Sequence, residues 1–184
     1  AAARDLIRSN GVEGMSISQV VATSGTSTGA IYHHFGNKER LVLAVGKSAI
    51  AEPMTMVMRT TPGISPAGLL EAALLRVAAD ERMPTTLLQI WSGAQSNAEL
   101  ADLLAEETTL MRTSVEAFIT PWVRENAPSV GVDEVVTLLF GLVAGYAVQR
   151  ALGLGVDAQT YRRTAVGALQ TLTAADEAGD PSVR

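Results

Sequence analysis

The sequence predicts an all-α fold in two parts, a small three-helix head followed by a longer helical body. Three observations carry this prediction. Apolar residues recur at helical spacing along nearly the whole chain, and no stretch alternates with the period of two that a half-buried strand needs. Ser, Asn and Asp residues placed to start helices, and Gly and Pro residues placed to stop them, divide the chain into nine segments. The segments are short up to residue 47 and mostly long beyond it.

Composition narrows the classes. With 47% hydrophobic and 18% charged residues the chain can bury a core and is not a disordered segment. There is no cysteine, which removes disulfides and thiolate chemistry and fits a cytoplasmic location. The first residues mix Ala with Arg and Asp, so no secretion signal is expected there. The chain opens on Ala rather than Met, and its natural start, with any basic arm, is expected upstream. The longest uncharged apolar run, Val135 to Val148, has 14 residues. A membrane span needs about 20, so this run is expected to be a buried helix, and no membrane partner is expected. The net charge of −5 is uneven: residues 1–47 carry five basic and three acidic side chains, and the remainder carries −7. An acidic body with a mildly basic end suggests a polyanion at that end.

Each element has its own punctuation. Leu6 and Ile7 lie on a first helix that stops at Asn10-Gly11. Ser16 caps a second, with Ile17, Val20 and Val21 on its apolar side, running to Ser24-Gly25. Ser27 caps a third from Thr28 to Phe35, ended by Gly36, and Asn37 caps a fourth from Lys38 to Arg59, kinked at Pro53. Past Thr60-Thr61-Pro62-Gly63, helices are expected from Ser65-Pro66 to Arg82 and from Pro84 to Gly93. Others are expected from Ala98 to Asn126 with Pro121 inside, from Asp133 to Leu152, and from Asp157 to Ala175. The predicted organisation is a head over 1–47, a body over 48–176 and a polar, mobile tail over 177–184.

Two short helices joined by a turn that begins with Gly form a helix-turn-helix arrangement. Gly25 can take the positive φ the turn needs. Ile31 and Phe35, four apart, bury one face of the third helix against Val20, Val21 and Leu41. Thr28, Gly29, Tyr32 and His33 are left outside. Small residues at the start of such a helix let its backbone approach base edges in a DNA major groove. The alternative is a surface helix that happens to be small and polar. His33 and His34 point about 100° apart and cannot easily share one metal ion, and no carboxylate is placed to complete a ligand set, so neither metal nor cofactor is expected.

The run Ser16-Ile17-Ser18-Gln19-Val20-Val21-Ala22, followed by Gly25-Thr26-Ser27-Thr28-Gly29-Ala30-Ile31-Tyr32-His33-His34-Phe35-Gly36-Asn37-Lys38-Glu39-Arg40-Leu41, resembles the DNA-binding signature of the TetR family of bacterial transcriptional regulators. The departure is Ser24-Gly25-Thr26-Ser27, where the family commonly has Ala-Gly-Val-Ser. The resemblance implies that Ser16, Thr26 and Ser27 contact phosphates and that Ser18, Thr28 and Gly29 face base edges. It implies that Tyr32 and Lys38 clamp the DNA backbone, that His33 lies near a phosphate or a thymine methyl, and that His34 packs.

For the body, the resemblance implies a ligand pocket and a homodimer interface made by the last two helices. Pocket candidates are Met54, Met58, Trp91, Gln95, Phe118, Trp122 and Tyr146, a pliable apolar set with a few polar groups; Phe140 is a further one, and Arg112 or Gln149 could orient an anionic or polar ligand. Interface candidates are Leu138, Gly141, Leu142 and Gly145 on one helix and Ala165, Ala168, Leu169 and Leu172 on the last. No nucleophile, phosphate loop or catalytic constellation is present, so an enzyme is not expected. The expected function is that of a ligand-responsive repressor binding a palindromic operator as a dimer. The rivals are an α-helical interaction protein or enzyme with a vestigial head, or a regulator that activates or needs no ligand.

Overall fold

The computed structural model describes residues 1–174, so the predicted tail over 177–184 lies outside the described residues. Helix starts follow the side-chain caps. Ser16, Ser27, Asn37, Ser65, Asn97 and Asp157 each accept a hydrogen bond from the backbone N–H three residues on, which satisfies a donor the first turn would otherwise orphan. The elements are α1 (Ala2–Gly14), α2 (Ile17–Ser24), α3 (Thr28–Phe35), α4 (Lys38–Gly46), α5 (Glu52–Thr60), α6 (Pro66–Ala79), α7 (Met83–Ala94), α8 (Ala98–Asn126), α9 (Val132–Ala151) and α10 (Ala158–Thr173). A π-helical turn, Lys47–Ala51, joins α4 to α5 in one rod, so the described residues form nine helices and no strand.

Two predicted details move. Gly11 breaks helical geometry as expected (φ 71°, ψ 175°), but the chain resumes a helical turn through Gly14. The kink expected at Pro53 takes the form of the π-turn immediately before it. Proline's ring crowds the carbonyl four residues back, here that of Ala49, and offers it no N–H. Widening that turn relieves the clash, with the Glu52 N–H donating to the Lys47 carbonyl five residues back.

The body core gathers Leu69, Leu70 and Leu74 from α6, Met83 and Leu87 from α7, Ile119 from α8, Val135 and Leu139 from α9, and Leu169 from α10. The second core belongs to the head, with Ile7, Met15, Val20, Ile31, Leu41 and Val42, and it is closed by Ile90 and Leu100 from the body. Head and body therefore share apolar packing across the predicted boundary at residue 47. Gly93 makes this possible: a Cβ there would stand 2.7 Å from the Val12 Cβ.

Candidate nucleic-acid interface and cavity

The head presents α3 to solvent. Of its eight residues only Ile31 is buried and Phe35 is half-buried; Thr28, Gly29, Ala30, Tyr32, His33 and His34 are exposed. Burying one Ile contributes about 1.5–3 kcal/mol, so α3 is held mainly by Ile31 on one side while the rest of its surface is free. Gly25 ends α2 in the left-handed region (φ 71°, ψ 7°), with its N–H donating to the Val21 carbonyl at 3.0 Å. That conformation reverses the chain sharply enough for Ser27, three residues after α2 ends, to begin α3.

The predicted contact residues lie around this helix. Ser16 forms a capping box with Gln19: the Gln19 N–H donates to Ser16 Oγ at 3.3 Å, and the Ser16 N–H donates to Gln19 Oε1 at 2.8 Å. Ser18 Oγ lies 2.9 Å from Ser16 Oγ, placing both hydroxyls at the start of α2. Thr26 and Ser27 are exposed in the turn, and Ser27 Oγ accepts from the Ala30 N–H at 3.1 Å. Tyr32 is 49% exposed, and His33 is exposed beside it. His34 meets the ring of Phe35 edge-on at 4.5 Å but remains exposed rather than packed in the core. Lys38 stands at the start of α4 and donates to the Glu13 carbonyl at 3.4 Å. Hydroxyls, helix N-termini and a cation thus accompany an exposed helix whose N-terminal end is small, features compatible with contact to a phosphate backbone and base edges.

A crossed pair of helix caps fastens the head to the body. Asn37 caps α4 through Oδ1, while its amide donates to Glu99 Oε1 at 2.6 Å, two residues beyond the cap of α8. Asn97 caps α8 in the same way, and its amide donates to Glu39 Oε1 at 3.0 Å, two residues beyond the cap of α4. Sequence reading found both caps but not the reciprocity, which depends on two helix starts meeting in space. Arg4 to Asp80 at 3.1 Å and Ser96 Oγ to Glu13 at 2.6 Å add further ties.

The body holds a cavity of about 580 Å³, within the size range of small-molecule sites. Of the pocket candidates, Met54, Trp91, Phe140 and Arg112 line it. The others do not: Met58, Phe118 and Trp122 pack half-buried against the body core, and Gln95 is exposed just past α7. Gln149 on α9 is not on the wall either. Tyr146 is 1% exposed and stacks on Tyr161 at 4.7 Å, a core position rather than a wall. Sequence reading missed Ile50 and Ala51 in the π-turn and Leu87, Ile90, Leu104 and Val115. They are plain aliphatic residues whose pattern cannot distinguish a cavity wall from a core.

The interface candidates divide as well. Ala165 and Leu169 are buried in the chain's own core and cannot face a partner. Gly145 has an internal reason to be small, since a Cβ there would lie 3.4 Å from the Tyr161 hydroxyl, which donates to the Leu142 carbonyl at 2.9 Å. Burial raises the Tyr161 phenol pKa. Gly141 and Ala168 are exposed, and Leu138, Leu142 and Leu172 are half-buried.

The architecture is a helix-turn-helix head on an α-helical body with an apolar cavity. Residues 1–45 match the model of the bacterial regulatory proteins, tetR family. The transcriptional repressor AcnR of Corynebacterium efficiens is 41% identical over 49 residues, which cover 27% of this chain and 26% of AcnR. Whole-chain similarity is to folds. A candidate TetR-family regulator from Rhodococcus sp. superposes with a TM-score of 0.77 at 20% identity, covering 94% of each chain. The regulator FadR of Bacillus subtilis, solved with stearoyl-CoA, gives 0.70 at 18% identity, covering 94% of this chain and 95% of FadR. The head thus matches the TetR-family model, and the whole chain has the fold of these solved regulators.

Proposed function

We propose that the protein is a transcriptional regulator that binds a palindromic DNA operator as a homodimer and represses until a small molecule releases it. It would act in the cytoplasm, on double-stranded DNA. The observation that carries this reading is the exposed α3, with six of its eight residues free, Thr26 and Ser27 in the turn before it, Ser16 capping α2 and Lys38 opening α4. A second feature supports the response to a ligand. Ile90 and Leu104 line the cavity and also pack on the head core, so a molecule that moves them moves the seat of the head. The effect of such a ligand is limited to its difference in affinity between the two arrangements.

For the dimer, Gly141 and Ala168 are exposed, and Leu138, Leu142 and Leu172 remain partly open to a second copy. Two heads related by a twofold axis read two half-sites. Selection of bound duplexes from a random pool tests the reading. The expected product is a palindrome whose affinity falls steeply with salt, with slope about −0.9 per neutralised phosphate. Changing Tyr32 and Lys38 to Ala should abolish binding with the fold intact. Failure of the folded dimer to enrich any duplex would overturn the reading.

A further inference from the structure

We propose that the molecule the cavity takes is an amphipathic monocarboxylic acid, with its carboxylate on Arg112 and its apolar body among Met54, Leu69, Leu87, Trp91, Val115 and Leu139. The inference rests on reading this cavity as the effector site. Those six side chains make most of the space a place for hydrocarbon. At about 30 Å³ per heavy atom, the share of a water in the liquid, 580 Å³ holds up to roughly 20 atoms.

The charges on the wall define the head group. Three charged residues line the cavity: Lys47, Glu107 and Arg112. Lys47 Nζ and Glu107 Oε2 are 2.9 Å apart and neutralise one another. Arg112 has no carboxylate within 4.0 Å among the described residues. Its guanidinium is nonetheless fixed in place. Nη2 donates to Thr137 Oγ1 at 2.9 Å, and Cζ lies 5.1 Å from the Phe140 ring centroid, so α9 holds a side chain that α8 supplies. That bond uses one of five donors, which leaves a planar fork suited to a carboxylate. The surplus on the wall is one positive charge. A cationic ligand would be repelled, a neutral one would leave the guanidinium without a counter-charge, and a second negative charge would be buried among aliphatic groups without a partner.

Calorimetric titration of the intact protein with dodecanoate, dodecanol and dodecyltrimethylammonium, each below its micelle concentration, isolates the head group. Dodecanoate is expected to bind about 10- to 100-fold more tightly than the other two, the range of a charge-assisted hydrogen bond in a partly buried site. Arg112→Gln should remove this preference. Arg112→Lys, which keeps the charge and loses the fork, should restore part of it. Equal binding of the three probes, binding of none, or an Arg112→Gln variant that still prefers dodecanoate would overturn the proposal. The regulator reading fails separately: dodecanoate bound through Arg112 with no change in operator affinity would leave the carboxylate site standing and break its link to DNA. Release of operator by other molecules, with no head-group preference, would do the reverse.

Discussion

Gly93 packs closely against Val12 of the head, and its role is steric. A methyl there meets the Cβ of Val12 at 2.7 Å and both its γ-carbons within 3.2 Å. Val12 is β-branched and cannot swing aside, so α1 itself has to move. Gly93→Ala is expected to cost about 1–3 kcal/mol, as overpacking does. In a chain of this size that lowers the melting midpoint by about 2–4 °C per kcal/mol. An unchanged midpoint would show that the helices separate freely. Tyr146 carries the opposite expectation. Its ring is buried and stacked, but its hydroxyl has no hydrogen-bond partner among the described residues. Removing an unsatisfied buried group recovers part of a penalty of about 1–3 kcal/mol, so Tyr146→Phe should raise the melting midpoint or leave it alone. A clear fall would mean that the hydroxyl is bonded after all. Neither residue could be interpreted this way from sequence: Gly93 read as a helix end and Tyr146 as a pocket wall, because close approach and burial are set by other chain segments.

At the scale of elements, what was legible was local. The caps at Ser16, Ser27, Asn37 and Asn97 lie within three residues of the groups they bond, so composition alone placed the helix starts. The head motif was legible for the same reason, since its turn and third helix span 25–35 without a break. The cavity was not, because its wall draws on the α4–α5 rod and on α6, α7, α8 and α9. Nor was the crossed cap, in which Asn37 reaches Glu99 and Asn97 reaches Glu39 across about sixty residues of chain. This joint lends itself to a double-mutant cycle. Asn97→Ala alone should cost about 0.5–2 kcal/mol through the lost cap. Combined with Glu39→Ala, the two losses should sum to more than the pair costs, with a coupling of about 0.5 kcal/mol or more if the amide-to-carboxylate bond holds the helix starts together. Strict additivity in denaturant unfolding would reduce Asn97 to a cap for its own helix.

At the scale of the whole molecule, α8 connects the two proposed sites, the head and the cavity. It begins at the crossed cap beside the start of α4, where Lys38 stands, and about two to five turns later it supplies Leu104, Glu107, Met111, Arg112 and Val115 to the cavity. The rod passes the same cavity through Lys47, Ile50, Ala51 and Met54 before α5 leaves it. A π-turn is a weak point in a helix, and placing one on the wall gives the rod a place to yield. If filling the cavity shifts the rod and Ile90 together, operator and effector compete for two arrangements of the same joint. The competition must then be mutual, because linkage is symmetric in free energy. Dodecanoate affinity measured with saturating operator duplex should fall by the same factor by which dodecanoate lowers operator affinity, about 5- to 150-fold for a typical coupling. Gly93→Ala, which disturbs the seat of the head without touching the cavity wall, should shrink that factor and leave dodecanoate affinity in the absence of DNA unchanged. A factor that stays the same in this variant would mean that the signal bypasses the contact of α1 with α7, and would leave α8 and the rod as the route between cavity and DNA.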